Sequence, residues 1–205
     1  MPTTAVIFDV GNVLIRWDAR LLFRQLLPDE ATIEAFLAEV GFDAWNRDLD
    51  GGADWDEGVA TLSARHPQHA ECIAAFHHRW QETVPGAIDG SVAILEALAG
   101  AGVPLYAITN FSVPKWEETR ARFGFLGRFR DVVVSGRERL VKPDPAIFRL
   151  CLDRNGLDAA ACLFVDDSPA NVAGARAVGL DSHRFADPGA LAADLERRGL
   201  LQPSG

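Results

Sequence analysis

The chain is short of cysteine, of positive charge and of long apolar runs. Its three cysteines, Cys72, Cys151 and Cys162, form no CxxC pair and no Cys/His metal spacing. That argues against a disulfide framework and points to reduced thiols. Cys162 adjoins Leu163-Phe164-Val165 and is expected to pack near a sheet. Lysine and arginine total 20 against 29 acidic residues, a formal charge of −9. Such a balance argues against a nucleic-acid binder working through a basic footprint. An anionic small substrate stays open, because a bound cation can invert the local field. No stretch approaches the ~20 apolar residues that span a bilayer. No basic segment precedes a separate apolar one near the first residue. The expected location is therefore cytoplasmic, with neither nucleic acid nor membrane as partner. Internal repeats and low-complexity tracts are also lacking.

What is present is enough to build a core. At 205 residues and 48% hydrophobic, the chain fits one domain, or one domain with a modest insertion. Residues 5–10 are a short apolar run ending in Asp9 and Gly11, as a buried parallel strand would be. The next such run is 103–109. Between them, 19–27, 30–40, 56–64 and 70–82 carry apolar residues at helical spacing, punctuated by Gly51-Gly52 and Pro67. Residues 91–99 read as a helix capped by Asp89 or Ser91. The chain then alternates: helix 114–123, strand 131–135, helix 144–155, strand 162–166, helix 169–178 and strand 181–185. This alternation predicts an α/β fold, a parallel sheet covered on both faces by helices.

Four stretches place polar groups at strand ends. Asp9 follows Val6-Ile7-Phe8, with a flexible Val10-Gly11 turn behind it whose backbone N–H groups can hold phosphate oxygens. Thr109 and Asn110 follow Ile108 and can donate hydrogen bonds to a phosphate or a developing oxyanion. Lys142 precedes Pro143-Asp144-Pro145, a rigid support for an ammonium that neutralises anions. Asp166 and Asp167 end Leu163-Phe164-Val165. Adjacent carboxylates repel unless a cation relieves them, and with Asp9 they make an oxygen-rich site suited to Mg²⁺. Taken singly, each stretch also has a bland reading as a cap, a turn or a solvated lysine.

In this order and spacing, the four stretches resemble the motifs of the haloacid dehalogenase (HAD) superfamily of Asp-nucleophile hydrolases. The resemblance spans Asp9 to Asp167, and Phe8-Asp9-Val10-Gly11-Asn12-Val13 is similar to the branch around bacterial α-D-glucose-1-phosphate phosphatase. That branch borders the haloacid dehalogenases and the phosphatase domain of soluble epoxide hydrolase. The resemblance implies a Rossmann-like core of residues 1–15 and 87–205, with an all-helical cap of the C1 type over 16–86. It implies that Asp9 is the nucleophile and forms an aspartyl-phosphate. Val10, Gly11, Thr109, Asn110 and Lys142 would bind the substrate phosphate, with Thr109 and Lys142 also serving the chemistry. Asp9, the Gly11 carbonyl and Asp167 would bind Mg²⁺, with Asp166 supporting through water. The implied substrate is a small phosphorylated metabolite, a sugar phosphate among the candidates, and the implied assembly a monomer or homodimer.

One position departs from that pattern. Most phosphatases of this superfamily carry a second Asp two residues after the nucleophile, as general acid and base. Here that residue is Gly11. A weakly basic leaving group would need little acid help, or another side chain would substitute, with Asp18, His77 and His78 as candidates. The departure also suits a 2-haloacid dehalogenase, since halide needs no proton, although the Asp166-Asp167 pair speaks against it. A non-catalytic binding protein on the same scaffold is the third reading. Trp17, Trp45, Trp55 and Trp80 fall in or beside the helical region, where most would be core and one could stack on a flat substrate. Arg137 sits in a solvated loop within reach of the site mouth.

Overall fold

The computed structural model describes residues 2–202, and its centre is a five-stranded parallel sheet. The strands are β1 (Ala5–Phe8), β2 (Leu105–Thr109), β3 (Asp131–Val134), β4 (Cys162–Asp166) and β5 (Asp181–Arg184). Their order is β3-β2-β1-β4-β5. β1, β2 and β4 are buried along their whole length, which is why they read as continuous apolar runs. Successive side chains point to opposite faces. Val6 and Phe8 join one core with Leu163 and Val165, while Ile7 joins the other with Ile108, Phe148 and Phe164.

The chain starts in the middle of the sheet, builds outward to β3, then crosses to β4 on the other side of β1. That reversal leaves a crevice at the carboxyl ends of β1 and β4, the place where open α/β sheets bind ligands. The pairing of Phe8 with Val165 sets Asp9 beside Asp166, and the Asp9 N–H donates to the Val165 carbonyl at 2.8 Å.

Between β1 and β2 the chain makes a helical insertion and then α6. The insertion contains α1 (Arg20–Phe23), α2 (Glu30–Val40), α3 (Phe42–Asp50), α4 (Trp55–Arg65) and α5 (Ala70–His78); α6 is Asp89–Gly100. An aromatic cluster holds the insertion together. Phe76 lies at its centre, with ring centroids 4.9 Å from Phe42 and 5.7 Å from both Trp45 and Trp55. The other helices are α7 (Val113–Arg122), α8 (Ser135–Glu138), α9 (Pro145–Asn155), α10 (Pro169–Arg176) and α11 (Pro188–Arg197). α6 and α11 cover one sheet face through Leu95, Leu98, Leu191 and Leu195. α9 and α10 cover the other through Ile147, Phe148 and Ala175. Cys72, Cys151 and Cys162 are free and buried, with Cys162 in β4 as expected.

Several boundaries differ from the sequence expectation. The helix expected over 19–27 keeps regular form only in α1, then continues as turns. The helix expected over 70–82 breaks at Arg79, and a 3₁₀ turn follows at Trp80–Thr83. α3 carries only Phe42, Trp45 and Leu49 as large apolar residues, a pattern too sparse to stand out. α6 begins two residues early without a side-chain cap, and Ser91 is buried inside it. Strand 131–135 loses Ser135 to α8. Beyond residue 185, α11 is a further helix whose signals were legible, with Asp187 as N-cap and Leu191 and Leu195 on one face.

Candidate active site

Elements from both sides of the sheet reversal deliver side chains to one cavity of about 180 Å³. Asp9, Gly11, Thr109, Asn110, Lys142 and Asp167 all line it. Asp166 and Val10 stand just behind this lining. Asn12, Trp17, Asn46, Asp50, Trp80, Phe111 and Asn171 complete the wall; of these seven the sequence pointed only to the tryptophans, as a set of four of which one could stack on a substrate.

Lys142 is the hub. Its Nζ lies 2.8 Å from Asp9 Oδ2 and 2.8 Å from Asp166 Oδ2, and the residue is 2% exposed. Burial alone would lower the ammonium's pKa, but Asp9 and Asp166 raise it above its ordinary value, so it stays charged. Asn110 fixes the lysine's backbone. Its Oδ1 accepts from the Lys142 N–H at 2.9 Å and its Nδ2 donates to the Lys142 carbonyl at 3.2 Å. The Asn110 side chain thus grips the Lys142 backbone while it lines the cavity. The Thr109 hydroxyl has no partner among the described residues and faces the cavity from the end of β2.

Asp166 is fully buried and saturated. It accepts from Ser168 N at 2.9 Å, from Asn171 Nδ2 at 3.0 and 3.1 Å, and from Lys142. Asn171 therefore belongs to the site. It lies on the first turn of α10, which Ser168 caps, and its signal was its place one helical turn beyond the Asp pair. Asp167 points into the cavity instead. The Val10 N–H donates to Asp9 Oδ1 at 2.6 Å, so it orients that carboxylate. Burial pushes the Asp9 carboxyl up to about 8; Lys142 opposes the rise, and Asp166 and Asp167 add to it. Burial also raises Asp167, with Asp166 contributing.

Oxygen atoms of Asp9, Asp166 and Asp167 lie within 4.8 Å of one another. Three carboxyl groups share a single ammonium in a poorly solvated place, and their crowding adds to the burial that raises Asp9 and Asp167. A hard divalent cation with oxygen ligands fits this donor set. Position 11 is open: a Cβ there would meet nothing within 4 Å.

The suggested substitutes for a residue at position 11 lie elsewhere. Asp18 is taken by the Arg20 N–H at 2.9 Å and by Arg24 at 3.5 Å. His77 stacks on Trp55 at 5.0 Å and pairs with Asp56 at 3.3 Å, beside a separate hollow. His78 packs against His77 and does not line the cavity. Arg137 pairs with Glu117 at 3.0 Å and is absent from the lining too. Of the tryptophans, Trp55 and Trp80 are buried in the core, Trp17 and Trp45 pack against it, and Trp17 and Trp80 also line the cavity. No described helix is long and apolar enough to cross a membrane.

A family model for haloacid dehalogenase-like hydrolases matches residues 3–179. A phosphoglycolate phosphatase of Rhodospirillum rubrum is 37% identical over 194 residues, 86% of this chain and 76% of that one. A sesquiterpene phosphatase of Aspergillus oryzae is 28% identical over 198 residues, 96% of each chain. Among solved structures, a HAD-family enzyme of Bacteroides thetaiotaomicron in a magnesium complex superimposes with a TM-score of 0.74. It is 19% identical, and the match covers 96% of this chain and 100% of that one, a likeness of fold.

Proposed function

The chain belongs to the haloacid dehalogenase-like hydrolase family, and we propose that it is a Mg²⁺-dependent phosphatase acting on a small phosphorylated metabolite. The observation that carries this reading is Lys142 Nζ at 2.8 Å from both Asp9 and Asp166, in a cavity that also receives Thr109 and Asp167. In this reading residues 16–86 are a cap that closes the cavity over a core of 1–15 and 87–205. The phosphatases of R. rubrum and A. oryzae support the reaction class. A cavity of about 180 Å³ supports a small substrate, and Trp17 and Trp80 in its wall make sugar phosphates the first to try.

Asp9 attacks phosphorus, its carboxylate oxygen forming a bond as the bond to the leaving oxygen breaks. Water then cleaves the aspartyl-phosphate and restores Asp9. Lys142 holds Asp9 in line and stays cationic throughout. The Thr109 hydroxyl donates to a phosphate oxygen, and Asn110 holds the lysine's backbone rigid. Asp9, the Gly11 carbonyl and Asp167 would hold the magnesium ion, with Asp166 steadying Lys142 behind them. When bound, the ion offsets the charge of the phosphate and its carboxylate neighbours.

Phosphate release from a panel of phosphorylated metabolites tests the reading. The expected result is release with Mg²⁺, loss in EDTA, and loss in Asp9→Asn. The open Gly11 keeps 2-haloacid dehalogenation as a second reading, because halide departs without a proton. Halide release from 2-haloacids with no phosphate release from any ester would select that reading instead.

A further inference from the structure

Position 11 cannot move a proton, yet an ordinary alcohol leaves phosphorus poorly without one. The titratable side chains that line the cavity are Asp9, Lys142, Asp167 and Asp50. The first three are occupied by attack, charge neutralisation and cation binding in the reading above. The other lining side chains are amides, aromatics and a threonine, which do not exchange protons near neutral pH.

We propose that Asp50, delivered from the helical insertion, is the general acid and base that position 11 lacks. As the bond from phosphorus to the leaving oxygen breaks and Asp9 takes the phosphoryl group, the Asp50 carboxylic acid gives its proton to that oxygen. The Asp50 carboxylate then takes a proton from the attacking water as the bond between Asp9 and phosphorus breaks. Asp50 ends as it began, and the two products are the alcohol and phosphate. The assignment rests on the phosphatase reading and supplies its missing step.

The geometry holds Asp50 for this task. It is the last residue of α3, and Asn46, one turn earlier, donates to its Oδ2 at 3.2 Å. Its carbonyl accepts from Ser135 Oγ at 2.6 Å, and the same oxygen atom of Ser135 accepts from the Phe111 N–H at 2.9 Å. Two residues on, Gly52 meets Gly136 backbone to backbone: a Cβ on Gly52 would fall 2.6 Å from the Gly136 carbonyl oxygen. The turn after α3 is thus docked onto the ends of β2 and β3, which puts a carboxyl of the insertion in one cavity with Asp9. Burial pushes this carboxyl up to about 8, although the Ser112 N–H and Asn46 pull it down. That rise favours the protonated acid that a departing oxygen needs.

The test uses the full chain with Mg²⁺ and two probes, phenyl phosphate and p-nitrophenyl phosphate. Nitrophenolate departs without a proton, whereas phenolate gains from one. In Asp50→Asn, kcat/KM for phenyl phosphate should fall by roughly 10²–10⁴-fold, the range of a lost general acid. The fall for p-nitrophenyl phosphate should be much smaller. Gly11→Asp added to Asp50→Asn should return phenyl phosphate hydrolysis, because position 11 has room for a side chain. Equal loss on both probes with no relief from Gly11→Asp would make Asp50 structural and overturn the assignment. So would wild-type rates in Asp50→Asn. Those results leave the phosphatase reading standing, whereas a wild-type protein inert toward both probes and every metabolite would reject that reading and the assignment with it.

Discussion

Lys142 shows how much one side chain is asked to do. Its ammonium is the only cationic group among the cavity-lining residues, and it stands between two buried carboxylates, Asp9 and Asp166. Removing it leaves these acids facing each other without a counter-charge. Breaking a buried pair from one side typically costs about 3–5 kcal/mol, an unfolding-temperature loss on the order of 10 °C for a chain of this size. Lys142→Met should show a loss of that order in calorimetry and no measurable turnover. A variant that melts like the wild type would mean that the pair carries no stability. Asn110 and Asn171 work one step back, the first on the lysine's backbone and the second on Asp166. Residue types predicted the groups at the strand ends. They did not predict that the Asn110 amide would also grip the Lys142 backbone, because that depends on which loop folds against which.

At the scale of elements, strand ends and one turn decide the site. β1, β2 and β4 were legible because strands buried on both faces must be apolar throughout. Helix α3 was not, because only one narrow face of it is buried, yet it carries Asp50. Its delivery depends on two glycines at the insertion's contact with the core. Gly52 has φ +94°, and an added Cβ would strike the Gly136 carbonyl. Gly52→Ala should therefore destabilise by more than about 1 kcal/mol. It should also slow phenyl phosphate hydrolysis more than p-nitrophenyl phosphate hydrolysis, as the turn behind Asp50 shifts. Unchanged melting and unchanged rates would show that the turn yields freely. A second tie between insertion and core is Lys115 of α7, which donates to the His77 carbonyl at 3.0 Å and lies 5.2 Å from the Trp55 ring centroid.

At the scale of the molecule, a chain that begins mid-sheet and reverses across β1 brings residues 9, 109, 142 and 167 into one cavity. Alternation of strand and helix made the parallel sheet readable, and the four polar stretches made its carboxyl edge readable as the working edge. The wall supplied by the insertion was not readable. Asp18, His77 and His78 were the substitutes the sequence offered; Asp50 was not among them, and only the packing of α3 on the core brings it into the cavity. In the proposed reaction Asp9 carries the phosphoryl group between substrate and water. Its most direct test is acid quench during turnover of p-nitrophenyl phosphate with Mg²⁺, followed by mass spectrometry of the peptide that holds Asp9. A phosphoryl adduct on Asp9 is expected in the wild type and none in Asp9→Asn. Sustained phosphate release by Asp9→Asn, or an adduct on another residue, would contradict it.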